Sequence, residues 1–177
     1  GSRGVSNSTR GIHSFGFQRA DWAYQLDLQV TTIATTGSTV DGGGDAIVQH
    51  GFGASCSSPV RGIFAGGNPG QTNTISYISM QTLGDTADFG DLTTGANESP
   101  NMSSNAVRGI YFCGSPNGST NTNTISFITL ATLGNAQDFG DSTYVGRSHM
   151  STSSSTRAIL AGGANPSTTL NTIDYIQ

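Results

Sequence analysis

The sequence predicts an all-β fold assembled from four copies of one four-stranded antiparallel unit, and three observations carry that prediction. The phrase RGIFAGG, Arg61 to Gly67, returns as RGIYFCG from Arg108, as RAILAGG from Arg157 and more faintly as RGIHSFG from Arg10, at spacings of 51, 47 and 49 residues. A second phrase follows each: NTISYISMQTLG from Asn73, NTISFITLATLG from Asn123, NTIDYIQ from Asn171, and a worn copy, LDLQVTTIATTG, from Leu26. Composition points the same way. Gly, Ser and Thr make up 71 of 177 residues, Glu98 is the single glutamate and lysine is absent, so the residues that build helix surfaces are missing.

Each unit divides into four strands. The first is a small, Ser-rich segment (ASCSSPV, NMSSNAV, STSSST) suited to a place where strands crowd together. The second, RGIFAGG and its copies, is a continuous apolar run that leaves through a Gly-Gly turn, as a strand buried on both faces does. The third alternates apolar side chains at Ile75 and Tyr77 or Ile125 and Phe127, the period of a strand. Between second and third come NPGQT, SPNGST and ANPSTT, whose Asn, Pro and Gly are turn formers. The fourth follows the Gly that closes the second phrase: four positions on stands Asp41, Asp88 or Asp138, and the last two open the tetrapeptide Asp-Phe-Gly-Asp.

Four antiparallel strands in a repeat of roughly 40–50 residues are the signature of a β-propeller blade. The order RSHM, RAILAGG, LNTIDYI (Arg147 to Ile176) resembles the kelch repeat, with Phe89 and Phe139 standing where that repeat carries a tryptophan. The wording RGIFAGG, NTISYI, DFGDLT is also similar to kelch-like repeats of bacteriophage virion and tail-fibre proteins, over nearly all of residues 45–177. That resemblance implies one propeller domain, 1–177, with blades at 1–45, 46–95, 96–144 and 145–177, the last ending after its third strand. A closed four-bladed ring and a segment of a larger propeller, or one whose missing strand another chain supplies, both remain open.

Function classes narrow by charge and by motif. A net charge of −4 with seven scattered arginines does not make the cationic groove that nucleic acid needs. No run approaches the roughly 18 apolar residues of a membrane span, and the N-terminus carries no charged-then-apolar leader pattern. A kinase reading of Asp-Phe-Gly fails for want of a strand lysine. Phe89 and Phe139 are expected instead to be buried between blades, with Asp88 and Asp138 capping local amides. Calcium would require Asp85, Asp88 and Asp91 to converge. No cofactor or metal is expected, and no catalytic constellation stands out. His13, His50 and His149 read as solvent or turn histidines, Cys56 and Cys113 as free thiols in preference to a disulfide.

The arginines Arg10, Arg61, Arg108 and Arg157 repeat in register with the core, which favours hydrogen bonds to a neighbouring blade over an anion-binding ring. The asymmetric part is FQRADWAYQ, Phe17 to Gln25, which replaces the Asn-Pro-Gly turn and brings the single tryptophan. Its Arg19, Trp22 and Tyr24, with loop residues Asn68, Asn117 and Asn165, are the candidate contacts for a ligand or partner. The sequence is thus read as a non-enzymatic structural or receptor-binding propeller, virion-borne or extracellular, with a free-standing carbohydrate-binding lectin as the alternative. The resemblance implies other virion proteins or a host-surface glycan or protein as partners, besides a homo-oligomer or a strand-completing chain.

Overall fold

Period-two alternation obliges each repeat to fold as a pleated sheet with one side chain set on either face, and every repeat does so with its strands in sequence order. The computed structural model describes residues 2–14, 16–18, 23–95, 100–112 and 114–177. Blade 1 consists of β1 (Arg3–Ser6), β2 (Arg10–Ser14), β5 (Asp27–Thr32) and β6 (Val40–Asp45), with the hairpin β3 (Phe17–Gln18) and β4 (Ala23–Tyr24) between its second and third strands. Blade 2 is β7 (Ala54–Ser57), β8 (Arg61–Ala65), β9 (Thr74–Ser79) and β10 (Ala87–Asp91); blade 3 is β11 (Asn101–Ser104), β12 (Arg108–Phe112), β13 (Thr122–Thr129) and β14 (Gln137–Gly146). Blade 4 has three strands, β15 (Met150–Ser153), β16 (Ala158–Ala161) and β17 (Ile173–Ile176). The four sheets are arranged as a four-bladed β-propeller, the last blade incomplete. β14 runs past the expected boundary at 144 because Gly146 still pairs with Thr122.

The blades meet in three apolar seams. Blade 1 gives Val5, Ile12, Leu28 and Val30 to the first, against Phe64, Ile78 and Met80 of blade 2. Blade 2 gives Ile63, Ala65, Ile75 and Phe89 to the second, against Met102, Tyr111, Ile128 and Leu130 of blade 3. Ile110, Phe112 and Ile125 form the third with Ala158 and Leu160 of blade 4. In each case one face of a sheet packs on the opposite face of the next.

Along the inner strands, serine hydroxyls stitch the seams together. Ser57 donates to the Ser6 carbonyl at 2.7 Å, Ser104 to Ser57 at 2.7 Å and Ser153 to Ser104 at 2.6 Å, one equivalent position in four blades. This is why the crowded strands are Ser-rich: a hydroxyl is short enough to let the strands approach and still satisfies a carbonyl of the neighbour. On the outer side the arginines work in the opposite direction. Arg10 donates to the carbonyls of Met80 and Gln81 at 2.9 and 2.7 Å, and Arg61 to that of Leu130 at 2.7 Å, while the Arg61 guanidinium lies 5.1 Å over the Tyr77 ring. The structural reading of these arginines therefore holds for Arg10 and Arg61.

Asp-Phe-Gly-Asp is a β-bulge. Asp88 pairs with Ser76 and Gly90 with Ile75, leaving Phe89 unpaired, and Asp138 and Gly140 bracket Phe139 in the same way. Gly90 and Gly140 have φ of 145° and 131°, where a side chain is strained. The bulge turns Phe89 into the second seam, where it is 3% exposed and edge-on to Tyr77. Phe139 does not share that fate, since it is 36% exposed, against the expectation of burial. The reason is its neighbour. Leu130 and Ala136 of blade 3 help to cover Phe89, whereas among the described residues the cluster between blades 3 and 4 does not take in Phe139.

Phe89→Ala is expected to destabilise the fold by roughly 3–5 kcal/mol in denaturant unfolding, as buried Phe truncations do. Phe139→Ala should cost clearly less in the same measurement. Glycine substitution offers a sharper comparison. A Cβ on Gly90 would lie 2.5 Å from the Gly134 backbone of the next blade, whereas one on Gly140 meets nothing within 4 Å, so Gly90→Ala should lower the melting temperature more than Gly140→Ala although both share the φ penalty.

Candidate functional site: the loop face and the channel mouth

The turns between second and third strands, and the starts of the inner strands, emerge on one face of the propeller. On that face Gly51 pairs with Asn68 and Arg147 with Ala164, each through two backbone hydrogen bonds, fastening the entry to an inner strand onto the following loop of the same blade. The loops themselves are pinned by their asparagines. Asn117 Oδ1 accepts the amides of Ser119 and Thr120 at 2.9 and 2.7 Å, and Asn165 Oδ1 those of Ser167 and Thr168 at 2.9 and 2.8 Å. These two candidates therefore hold loop shape through their carbonyl oxygens. The third, Asn68, is fixed through its backbone to Gly51.

Tyr24 lies with its ring against Gly51, at a place that a Cβ would need, and its carbonyl accepts from Gln49 Nε2 at 2.9 Å. The structure thus brings Tyr24 and Asn68 together around Gly51, and the insertion of blade 1 rests on a loop of blade 2. Arg19 and Trp22 lie outside the described residues, as does Cys113. Asn117 and Asn165 belong to the other half of the face, where Arg147 donates to the Gly118 carbonyl at 3.3 Å and ties the loops of blades 3 and 4.

Beside these loops the inner strands open into a cavity of about 230 Å³ lined by Ser2, Arg3, Gly4, Ala54, Ser55, Pro100 and Asn101. Its lining is rich in hydrogen-bonding groups. Arg3 donates from Nε to the Gly53 carbonyl, and Ser55 donates to the Gly4 carbonyl at 2.9 Å. Burial pushes the Arg3 guanidinium down from its usual pKa, with nearby Tyr111 opposing the shift. Asn101 donates to His149 O at 2.7 Å and accepts from Ser151 at 2.7 Å. Sequence reasoning overlooked Arg3. The signal was present, because the copies place Ala54, Asn101 and Met150 at its repeat position, and a lone charge there breaks the pattern.

Two histidines correct the expectation of solvent or turn positions. His50 is 1% exposed; its Nδ1 donates to the Gly66 carbonyl and its Nε2 accepts the Ser76 hydroxyl, both at 2.8 Å. His149, equally buried, reaches the Gly162 carbonyl at 3.2 Å. Gly66 and Gly162 are the same residue of the Gly-Gly turn, so histidines at different offsets in the sequence satisfy one equivalent carbonyl. His13 is exposed, as expected.

Cys56 is a free, buried thiol pushed up to about 12 by desolvation, against a Ser104 hydrogen bond that lowers it, and is chemically quiet. Asp138 and Asp41 do accept the amides two residues on, Gly140 at 3.2 Å and Gly43 at 2.9 Å. Asp85 instead accepts the Asp45 amide of blade 1 at 2.9 Å, and Asn135 the Asp91 amide of blade 2 at 3.0 Å. Its carboxylate is engaged across a seam, and among the described residues no three His, Cys, Asp or Glu side chains gather as metal ligands.

Comparison with protein-family models and with curated proteins finds no match for the chain.

Burial lowers the His50 pKa below its usual value, against the raising effect of the Gly66 bond. The folded protein therefore holds this imidazole neutral where the unfolded chain takes a proton, near pH 6.5. Stability should be full above that pH and decline as pH falls from about 6.5 toward the lowered folded value, because the unfolded state then binds more protons. His50→Gln should flatten the decline in melting temperature over that window.

Proposed function

We propose that the chain is a non-catalytic binding module, a structural or adhesion propeller of a phage virion or tail fibre that acts by presenting its loop face to a host-surface glycan or protein, or to another virion protein. One observation carries the reading. Loops on a single face are fixed in advance by asparagine-centred turns and by the Gly51–Asn68 and Arg147–Ala164 pairings, so little loop ordering remains to be lost on binding. Arg10, Arg61 and the repeated serines are occupied in joining blades and the repeated Asp41 and Asp138 in closing local turns, and contact falls to the parts that break the repeat: Arg3, Tyr24 and the insertion around it. The resemblance of the repeat wording to virion proteins supports that origin, with the virion surface or the extracellular space as the proposed site of action.

A free-standing lectin is the second reading. The donors and acceptors around the channel mouth, Arg3, Ser55 and Asn101, and the tyrosine beside it are groups that can hold a sugar.

Labelled full-length chain applied to a glycan array and to intact host cells distinguishes the outcomes. Binding to cells that drops at least about tenfold with Trp22→Ala or Tyr24→Ala, as loss of an aromatic anchor does, supports adhesion; glycan binding with the same sensitivity supports the lectin. Silence in both assays sinks the binding-module reading. Release of fragments from host polysaccharide would overturn its non-catalytic character.

A further inference from the structure

Two short phrases meet on the loop face of blade 2: His-Gly-Phe-Gly (His50 to Gly53) before β7, and Asn-Pro-Gly-Gln-Thr (Asn68 to Thr72) between β8 and β9. Each puts a non-glycine residue into the left-handed region, Phe52 at a φ of 59° and Gln71 at 57°, a conformation that is rare for a bulky side chain and costs stability. The strand register makes Ser148 the blade 4 equivalent of Phe52, and its φ is also 59°. The turn therefore needs the conformation and not the ring. Phe52 is nevertheless there, 37% exposed. Both segments are held firmly, since Gly51 and Asn68 pair through two backbone hydrogen bonds, the Gly53 amide donates to the His50 carbonyl at 3.0 Å, and a Cβ on Gly95 would strike the Gln71 carbonyl oxygen.

Beside these segments, at the junction with blade 1, is a cavity of about 330 Å³ lined by Leu26, Ile47, Val48, Gln49, Pro69 and Thr72. Small-ligand sites usually hold roughly 300–1,000 Å³. Its walls are fixed in advance. The Ala46 amide donates to the Leu26 carbonyl at 2.9 Å and the Ile47 amide to the Thr86 hydroxyl at 2.8 Å, which fastens the crossing segment to both blades. Four of the six lining residues are apolar, and one of them, Ile47, is 45% exposed. The other two are uncharged hydrogen-bonding groups. Gln49 donates Nε2 to the Tyr24 carbonyl at 2.9 Å and keeps Oε1 as an acceptor, while Thr72 Oγ1 accepts the Thr74 amide at 3.1 Å and keeps its hydroxyl hydrogen as a donor. Among the described residues the lining carries no ionisable group.

We propose that this cavity binds an uncharged sugar unit of a glycan, with Phe52 as the aromatic platform beside it. A pyranose ring has one face of C–H groups and a rim of hydroxyls, each both donor and acceptor. The C–H face fits Ile47, Val48 and Pro69, and the hydroxyls fit Gln49 Oε1 and the Thr72 hydroxyl. Phe52 offers a ring surface to the next sugar of the chain. An acidic sugar would bring its charge into a lining with no cation to meet it, so its desolvation would go uncompensated. A purely apolar occupant would leave the two polar groups unsatisfied. The strain at Phe52 then belongs to binding, as strained backbone at ligand clamps often does. This inference rests on the loop-face reading and names its ligand class and the residues that hold it, at a place apart from the channel mouth lined by Arg3, Ser55 and Asn101.

The test applies the labelled full-length chain to a printed array of neutral and of carboxylated or sulfated glycans, and to intact host cells. Neutral glycans should bind with a Kd that is unchanged between about 50 and about 500 mM NaCl, because there is no ion pair to screen. Phe52→Asn, which accepts the left-handed conformation more readily, should weaken binding at least about tenfold while the melting temperature stays level or rises. Ile47→Asp, at a half-exposed position outside the strands, should also weaken binding about tenfold, by setting a charge against the sugar. Preference for the carboxylated or sulfated glycans overturns the proposal, as does parental binding by Phe52→Asn. A fall in the melting temperature of that variant does the same, since it would make the ring a packing residue. Binding that is lost with Tyr24→Ala but kept by both Phe52→Asn and Ile47→Asp overturns this site and leaves the loop-face reading standing. Silence on array and cells removes both.

Discussion

The structure depends on a directional clasp between consecutive blades. At the inner strand, the serine of one blade donates to the carbonyl of the blade before it. On the outer side, Arg10 and Arg61 each donate to carbonyls of the blade after. The two sets lie on opposite sides of an apolar seam and run in opposite senses, so together they fix both the spacing and the tilt of neighbouring sheets. Carbonyls facing a seam would be costly if left unpaired. Each donor therefore adds to stability chiefly by preventing that loss, and it does so only when the next blade arrives in register.

This explains what was legible in the sequence. A strand face that buries Ile63 and Ile75 must have the same alternation in every copy, so repeated wording gave the strands, their order and the inter-blade arginines. What could not be read was anything decided by a neighbour. Phe89 and Phe139 occur in the same tetrapeptide in the same bulge, yet one is buried and the other is a rim residue, because covering them is the task of the following blade. The two buried histidines escaped for a related reason. They stand at different offsets from the repeat arginine, yet the turns before β7 and β15 bring them to equivalent carbonyls, those of Gly66 and Gly162.

The loop face was legible by its departures from the repeat. The insertion after β2 announced itself through unusual composition, and Tyr24 does lie against the neighbouring blade. The loop asparagines are marked out by position alone, and two of them have the plainer task of closing turns. Arg3 is hard to read from the sequence because a single substitution in a small-residue strand leaves the repeat otherwise intact. In a repeat protein, function is expected where symmetry fails, since a side chain needed by every seam is not available for a ligand.

The outward faces of blades 1 and 4 extend that argument. By the strand register, the face of blade 1 turned away from blade 2 presents Gly4, Gly11, His13, Gln29 and Thr31, polar or small, with Ile33 as its one large apolar side chain. The face of blade 4 turned away from blade 3 presents Met150, Ile159, Ile173 and Tyr175, with Ile173 and Tyr175 69% and 64% exposed. Their counterparts in blade 2, Ala54, Ile63, Ile75 and Tyr77, sit in or against the second seam. An apolar face of that kind is matched in the other seams by Phe64, Ile78 and Met80 or by Tyr111, Ile128 and Leu130, where blade 1 has His13, Thr31 and Ile33. A seam between blade 4 and blade 1 would therefore set His13 and Thr31 where blade 2 has Phe64 and Ile78. The serine ladder has the same polarity, running from Ser153 through Ser104 and Ser57 to the Ser6 carbonyl. A clasp with a fixed direction makes the outward faces of blades 1 and 4 chemically different surfaces, and the blade 4 face is the more apolar of the two.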